Sequence, residues 1–423
     1  MKKILVLVLS LILLVTVTTK EAMAFWDEKN KKEKITVWLP PMGENDEAIW
    51  KPIIKEFEDK NDVKVDLEII PWSNYSEKYA LGVASGQGPD VGYMYAEMFP
   101  QFIQMGAVED LTSYLTKKDY ENYLYIDDGK MMGGLYGLAI EAANPAVIYY
   151  NKDILKSIGE KVPITWNDFI RCAVKATKDT NNDGKIDQWG YSQGWGAPYF
   201  GDLNWNWYGF LWQAGGDIFN KDLKTVKFND KAGIKTANFL KDLKFKYNVL
   251  PPYAMAQTNK EMLQTTFGPG KSLFSIYLSS AATEILDRSF KDLNYGMILS
   301  LKDVDMGTFA SVDQLVLMSA AKDKKLAFDL IQFMLSPESM TKFHKHHPRA
   351  PISKGESYQG DINMKDIIET KKGIYRPLVV GPHGIEIYEY LWKQLQMMMI
   401  GEKTPEEALN NAAEYSNKLL DKK

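Results

Sequence analysis

Between Ile35 and Tyr95 the chain reads as strand, helix, strand, helix, strand, and few folds accommodate that order. Ile35 to Leu39 is a short apolar run of the kind a buried strand needs. After the Pro40-Pro41 turn and polar Glu44-Asn45-Asp46, apolar residues at 49, 50, 53, 54 and 57 form a helical stripe, with Pro52 expected in its first turn. Val63, Val65, Leu67 and Ile69 then alternate with Lys64, Asp66 and Glu68, the pattern of a half-buried strand. Tyr75 to Ala84 is a second helix, and Gly88-Pro89-Asp90 turns into a strand from Val91 to Tyr95. Strands separated by helices join a parallel sheet through right-handed crossovers. Such sheets bind ligands beyond the carboxyl ends of their strands. Pro40 to Glu44, Trp72 to Asn74 and Met94 to Glu97 occupy those ends.

A chain of 423 residues exceeds one comfortable core, so two domains are expected. A second α/β region follows Tyr150. Thr165 caps a helix opening at Trp166, and Asp230 to Tyr247 is helical. Strands are expected at Phe274 to Leu278, Tyr295 to Leu299 and Gln314 to Met318. A helix over Lys324 to Leu335 follows, then one entered through Ser336-Pro337. Thr404-Pro405-Glu406-Glu407 has the form of a capping box.

The first residues indicate export. Met1-Lys2-Lys3, an apolar run from Ile4 to Val17 and Ala22-Met23-Ala24 have the form of a removable signal over residues 1–24. A periplasmic or secreted protein is therefore expected. The single cysteine, Cys172, lies in a helical stretch where burial is expected, and it permits no internal disulfide. The formal charge of −4 becomes more negative once Lys2, Lys3, Lys20 and Glu21 are removed, which argues against nucleic acid or an anionic membrane as partner.

Glu141 is set within an otherwise apolar run, between the strand led in by Gly133-Gly134-Leu135-Tyr136-Gly137 and a second strand, Ala146 to Tyr150. A carboxylate there faces a polar cleft or a bound polar ligand, unless it is a solvated loop acid. Five of the 11 tryptophans, Trp189, Trp195, Trp205, Trp207 and Trp212, fall close together with Tyr191, Tyr199, Phe200 and Tyr208. Trp189 and Trp212 suit a core. Glycine, proline and asparagine between Trp195 and Trp207 suggest a loop, where aromatic rings more often serve binding.

In order and spacing these segments resemble the bacterial extracellular solute-binding proteins of the maltose-binding kind. Gly88-Pro89-Asp90, Phe102 to Leu111, Thr165-Trp166, Gly215-Gly216, Phe267 with Gly270-Lys271, Ala327 to Ile331 and Gly401 with Thr404 to Leu409 carry the likeness. The resemblance implies an α/β fold of two periplasmic-binding-protein lobes, joined by a hinge of several chain crossings. One lobe would take 25–143 plus about 301–345, the other 144–300 plus about 346–423. It further implies a monomer that delivers carbohydrate to the permease subunits of an ABC importer, with no cofactor. Glu141 matches a glutamate that binds sugar hydroxyls, Glu97 stands where a sugar-binding aspartate is found, and Pro198-Tyr199-Phe200 matches a sugar-stacking motif. Trp72, Tyr95, Trp205 and Trp207 join them as candidate platforms, with Glu141 and Tyr199 on opposite sides of a cleft and solvated when it opens. Asp313 and Arg349 are further candidates near later crossings, where simple surface roles are the alternative. Met94 and Ser280 replace stacking tryptophans, and Met42 and Gly43 replace a charged pair, which argues against maltodextrins.

Other motifs point elsewhere. Asp179, Asn181, Asp183 and Asp187, with Gly184, follow a calcium loop, but Gly190 stands where its bidentate glutamate belongs. A capped loop of Asx turns is the other reading. Gly268 to Ser272 ends like a phosphate loop but lacks its first glycine and leads into a strand. His344, His346 and His347 lie among Lys342, Lys345 and Arg349, whose charges oppose a metal. As alternatives to sugar capture, Glu97 and Glu141 could serve a secreted glycoside hydrolase, or Arg349 could favour an anionic solute such as a glycerol phosphodiester.

Overall fold

The computed structural model describes residues 33–347, 349–357, 374–376, 378 and 380–421. The leader expected over 1–24 lies outside these residues. Strands β1 (Lys34–Leu39), β2 (Lys64–Ile69) and β3 (Val91–Met94) pair in parallel in the order β2-β1-β3, with Lys34 opposite Lys64 and Val37 opposite Val91. The helices Asp46–Asn61 and Tyr75–Ser85 supply the crossovers. The first buries Ile49, Trp50, Ile53, Ile54 and Phe57, the stripe its sequence encodes. Pro52 is not in the first turn, because the helix already begins at Asp46. It stands inside the helix on the exposed side, where a missing N–H donor is least costly.

A short hairpin of β4 (Lys130–Met131) and β5 (Gly134–Leu135) precedes β6 (Leu138–Asn151). The two strands expected around Glu141 are one continuous strand of 14 residues. Its first half lies in one hydrophobic core with Leu138, Ile140 and Ala142; its second half contributes Ala146 and Ile148 to another. The later strands are β7 (Trp189–Ser192), β8 (Ser272–Leu278), β9 (Tyr295–Ile298), β10 (Thr308–Leu317) and β11 (Tyr375–Arg376). β10 runs antiparallel to β6 and to β3, so the sheet is mixed, parallel around β1, at β7–β8 and at β10–β11. β10 also passes between the cores, with Phe309 in the second and Leu315 to Leu317 in the first. Two antiparallel strands thus carry one sheet through both cores.

The second core takes the tryptophan-rich segment. The backbone is irregular from Gln193 to Tyr199, as expected of a loop, but a short helix Leu203–Asn206 occupies the rest of that stretch and another, Tyr208–Gln213, follows it. Trp195 stacks on Trp392 with ring centroids 5.3 Å apart, and Trp207 is fully buried. Indole area this large stabilises more by joining a core than by lining a surface. The capping boxes at Thr165 and Thr404 form as the sequence indicates. The chain near Arg349 departs from its expected lobe: Ile352 packs in the first core and Arg349 bonds to the carbonyl of Met42.

Pro52→Ala should stabilise the protein by on the order of 1–3 kcal/mol, since it restores a helical donor at an exposed position at some loss of unfolded-chain restriction. Urea denaturation of the two proteins measures this directly.

Candidate functional site

Where the cores meet, Tyr95 and Ile385 pack against both. Beside them opens a cavity of about 370 Å³. The carboxyl ends of β1, β2 and β3 reach it through Met42, Trp72, Tyr95 and Glu97, as expected of parallel strands. β6 contributes Glu141 and Asn144, and β10 contributes Asp313. The second core adds Tyr199, Trp205 and Tyr277.

The aromatic groups are held by polar contacts at their edges. Trp72 donates its indole N–H to the carbonyl of Pro41 at 2.9 Å and packs 6.0 Å from Tyr95. The hydroxyls of Tyr95 and Ser76 are 2.5 Å apart. Trp205 lies 4.9 Å from Tyr277, and Tyr199 is half-buried against Phe200. Apolar faces with fixed rims suit a ligand having flat C–H faces and polar edges.

Glu141 is only 8% exposed, and Arg349 only 4%. The Arg349 Nε donates to Glu141 Oε1 at 3.0 Å, and its guanidinium also donates to the Met42 carbonyl at 2.8 Å. Asn144 donates to the same carboxylate at 2.8 Å, while its own oxygen accepts from Ser279 and the Ser280 amide, each at 3.1 Å. Glu141 is thus a paired, oriented acceptor on the cavity wall. Asp313 stands opposite it in the ladder, flanked by register shifts on both sides. Such irregularities re-aim side chains. Burial, followed by the charge of Glu141, pushes the Asp313 carboxyl up to about 8. Burial alone pushes Glu97 up to about 7.

At the mouth, Glu44 meets Arg288 in a two-bond pair, one contact measuring 2.6 Å. His347 sits 2.8 Å from Asp46 and 3.4 Å from Glu284. Burial works against its charged form, but the two carboxylates outweigh it and raise its pKa to about 9. This ring also explains Gly43. A Cβ there would lie 2.0 Å from an imidazole carbon.

Of the residues singled out on sequence, Trp72, Tyr95, Glu97, Glu141, Tyr199, Trp205, Asp313 and Arg349 all line the cavity. Trp207 does not, being a core residue. Met94, where the resemblance places a stacking ring, is fully buried. The calcium-loop oxygens serve the loop itself. Asp179 accepts from the amides of Asn182 and Gly184, at 2.8 and 2.7 Å, and Asp187 accepts from Thr180. Among the described residues no group of three or more His, Cys, Asp or Glu could hold a metal. Asn144, Tyr277 and the His347 contacts were not anticipated. Asn144 had a signal, as a second polar residue in the apolar run three places after Glu141. The His347 partners are too distant in sequence to have one.

Removing Arg349 leaves a buried anion short of its cation, so Arg349→Ala should lose about 3–5 kcal/mol in urea denaturation. The double variant Glu141→Gln/Arg349→Met should lose less, because no charge is stranded. For Glu97 and Asp313 the folded state holds protons that the unfolded chain releases near pH 4. Their contribution to stability therefore falls as pH rises from about 4 toward 7–8. Glu97→Gln should flatten that slope by up to about 1.4 kcal/mol per pH unit and gain most, relative to wild type, near pH 8. Melting curves from about pH 5 to 8 measure it.

Residues 40–341 match the family described as bacterial extracellular solute-binding protein. The sn-glycerol-3-phosphate-binding periplasmic protein of Escherichia coli is 23% identical over 392 residues, covering 84% of this chain and 86% of that one. A solute binding protein of an ABC transporter from Thermotoga lettingae, bound with alpha-D-tagatose, superposes with a TM-score of 0.78 at 23% identity, covering 92% of this chain and all of that one. The Listeria monocytogenes ABC substrate-binding protein in complex with cycloalternan gives 0.78 at 23% identity, covering 92% and 98%. These likenesses establish the two-lobe binding-protein fold. With the family match spanning most of its length, the chain belongs to the bacterial extracellular solute-binding proteins.

Proposed function

We propose that this protein captures a carbohydrate between its lobes and delivers it to an ABC importer, working as a monomer in the periplasm or outside the cell after its leader is removed. One observation carries the reading. A single cavity sets the rings of Trp72, Tyr95, Tyr199, Trp205 and Tyr277 beside the acceptors Glu97, Glu141 and Asp313. Rings pack on the C–H faces of a pyranose, and carboxylates make charge-assisted bonds to its hydroxyls. The sugar-bound relatives from Thermotoga and Listeria support the same class.

The anionic alternative is weaker despite the glycerol phosphate relative. Arg349 is engaged with Glu141 and Met42, so its charge is already offset by a carboxylate and is not free to hold a phosphate. Hydrolysis is weaker too. Glu141, the imagined nucleophile, is held by Arg349 and Asn144, which oppose its movement toward an anomeric carbon.

A panel of mono- and oligosaccharides should contain at least one that raises the melting temperature, since ligand at 100 times its Kd adds about 2.7 kcal/mol. Stabilisation by phosphorylated or peptide ligands alone would remove the carbohydrate reading. Steady release of reducing ends, lost in Glu141→Gln, would make the protein an enzyme.

A further inference from the structure

The charges around the cavity do not balance. Three of its carboxylates have cations: Glu44 pairs with Arg288, Glu141 with Arg349 and Glu284 with His347. Asp128 is surface-exposed. Glu97 and Asp313 differ from these. Both are more than nine-tenths buried, both line the cavity, and neither pairs with a cation among the described residues. Among the described residues, Asp313 has the neutral groups of Tyr93 and Ser311 beside it and faces the charges of Glu141 and Glu97. Lys260, the other lining cation besides Arg349, is exposed, and its field acts on Glu44 at the mouth.

Two buried carboxylates without a cation are costly to ionise, and close together they repel. A neutral hydroxyl gives each a donor but leaves the charge uncompensated. A cation would serve both. No metal-holding cluster exists among the described residues, which points to an organic cation. The walls suit one: Trp72 and Tyr95, with ring centroids 6.0 Å apart, line the same cavity as the two acids. An ammonium group gains from charge-assisted bonds to carboxylate and from the negative face of an aromatic ring. We infer that the preferred ligand is a sugar bearing a protonated amine, its nitrogen held against Glu97 and Asp313. The inference rests on the carbohydrate reading and narrows it.

The test is calorimetry on the wild-type protein with matched pairs of probes at about pH 6.5, below the titration of the amine. The pairs are glucosamine with glucose, galactosamine with galactose, mannosamine with mannose, and the di- to tetrasaccharides of glucosamine with those of glucose. In at least one pair the aminated member should bind at least about tenfold tighter, and N-acetylation should abolish the preference. Glu97→Gln and Asp313→Asn, both near-isosteric, should each reduce the ratio of the two affinities by about tenfold. Equal or tighter binding of the neutral members overturns the amine inference and leaves the carbohydrate reading in place. No binding by either series, with binding of a non-sugar solute, overturns both.

Discussion

The buried pair of Glu141 and Arg349 is the contact on which the site depends. Glu141 lies on β6 where that strand passes from one core to the other, and Arg349 ties it to the carbonyl after β1. A bare carboxylate there would be prohibitively costly, and a bare guanidinium equally so. Together they fix the loop at Met42 and the orientation of Glu141, and with them one wall of the cavity. Asn144 extends the arrangement to the other side, since its amide donates to Glu141 and its oxygen accepts from the start of the helix Ser279–Ser289. One short polar chain therefore links the loop after β1, the middle of β6 and the start of that helix.

Much of this was legible from local pattern. The parallel crossovers followed from alternation at Val63 to Ile69 and the stripe from Ile49 to Phe57, because burial periodicity is a local property. The carboxyl-end rule located Trp72, Tyr95 and Glu97 without further information. What failed were judgements about which aromatic residues stay outside a core. Trp195 and Trp207 sit among glycine, proline and asparagine, yet Trp195 stacks on Trp392, nearly 200 residues later. Nothing near Trp195 encodes that partner. Glu141 lines the cavity, as a cleft residue would, but its pairing was not legible, because its cation comes from residue 349 by a connection only the fold reveals.

Departures from the family pattern acquire physical causes in the structure. Gly43 stands where the resemblance places a charged side chain, and the His347 ring fills that space. The imidazole meets Asp46 on one side and Glu284 on the other, so a basic ring from a residue some 300 places later occupies this space. Met94 is fully buried at the end of β3, and Trp72 and Tyr95 are the rings that line that wall. Changed contacts of this sort alter what a cavity accepts while the strands around it stay in register.

The contacts spanning the mouth also bear on how such a cavity closes. Glu44 and Arg288 are each about half exposed, so solvent and salt screen their attraction, and a pair of this type contributes about 0–1 kcal/mol. The His347 to Glu284 contact is better shielded but longer, at 3.4 Å. Neither is strong enough alone to hold two domains shut against the freedom gained on opening. A ligand touching both Glu97 on one side and Tyr199 on the other adds the differential affinity that closure requires. Because β6 and β10 continue unbroken between the cores, that motion bends two paired strands rather than separating the sheet. The register shifts flanking Asp313 lie on β10 within this stretch, where an interrupted ladder bends more easily than a regular one. Asp313, proposed above to meet the ligand, thus sits in the more compliant part of this stretch, where capture and bending would act on the same few residues.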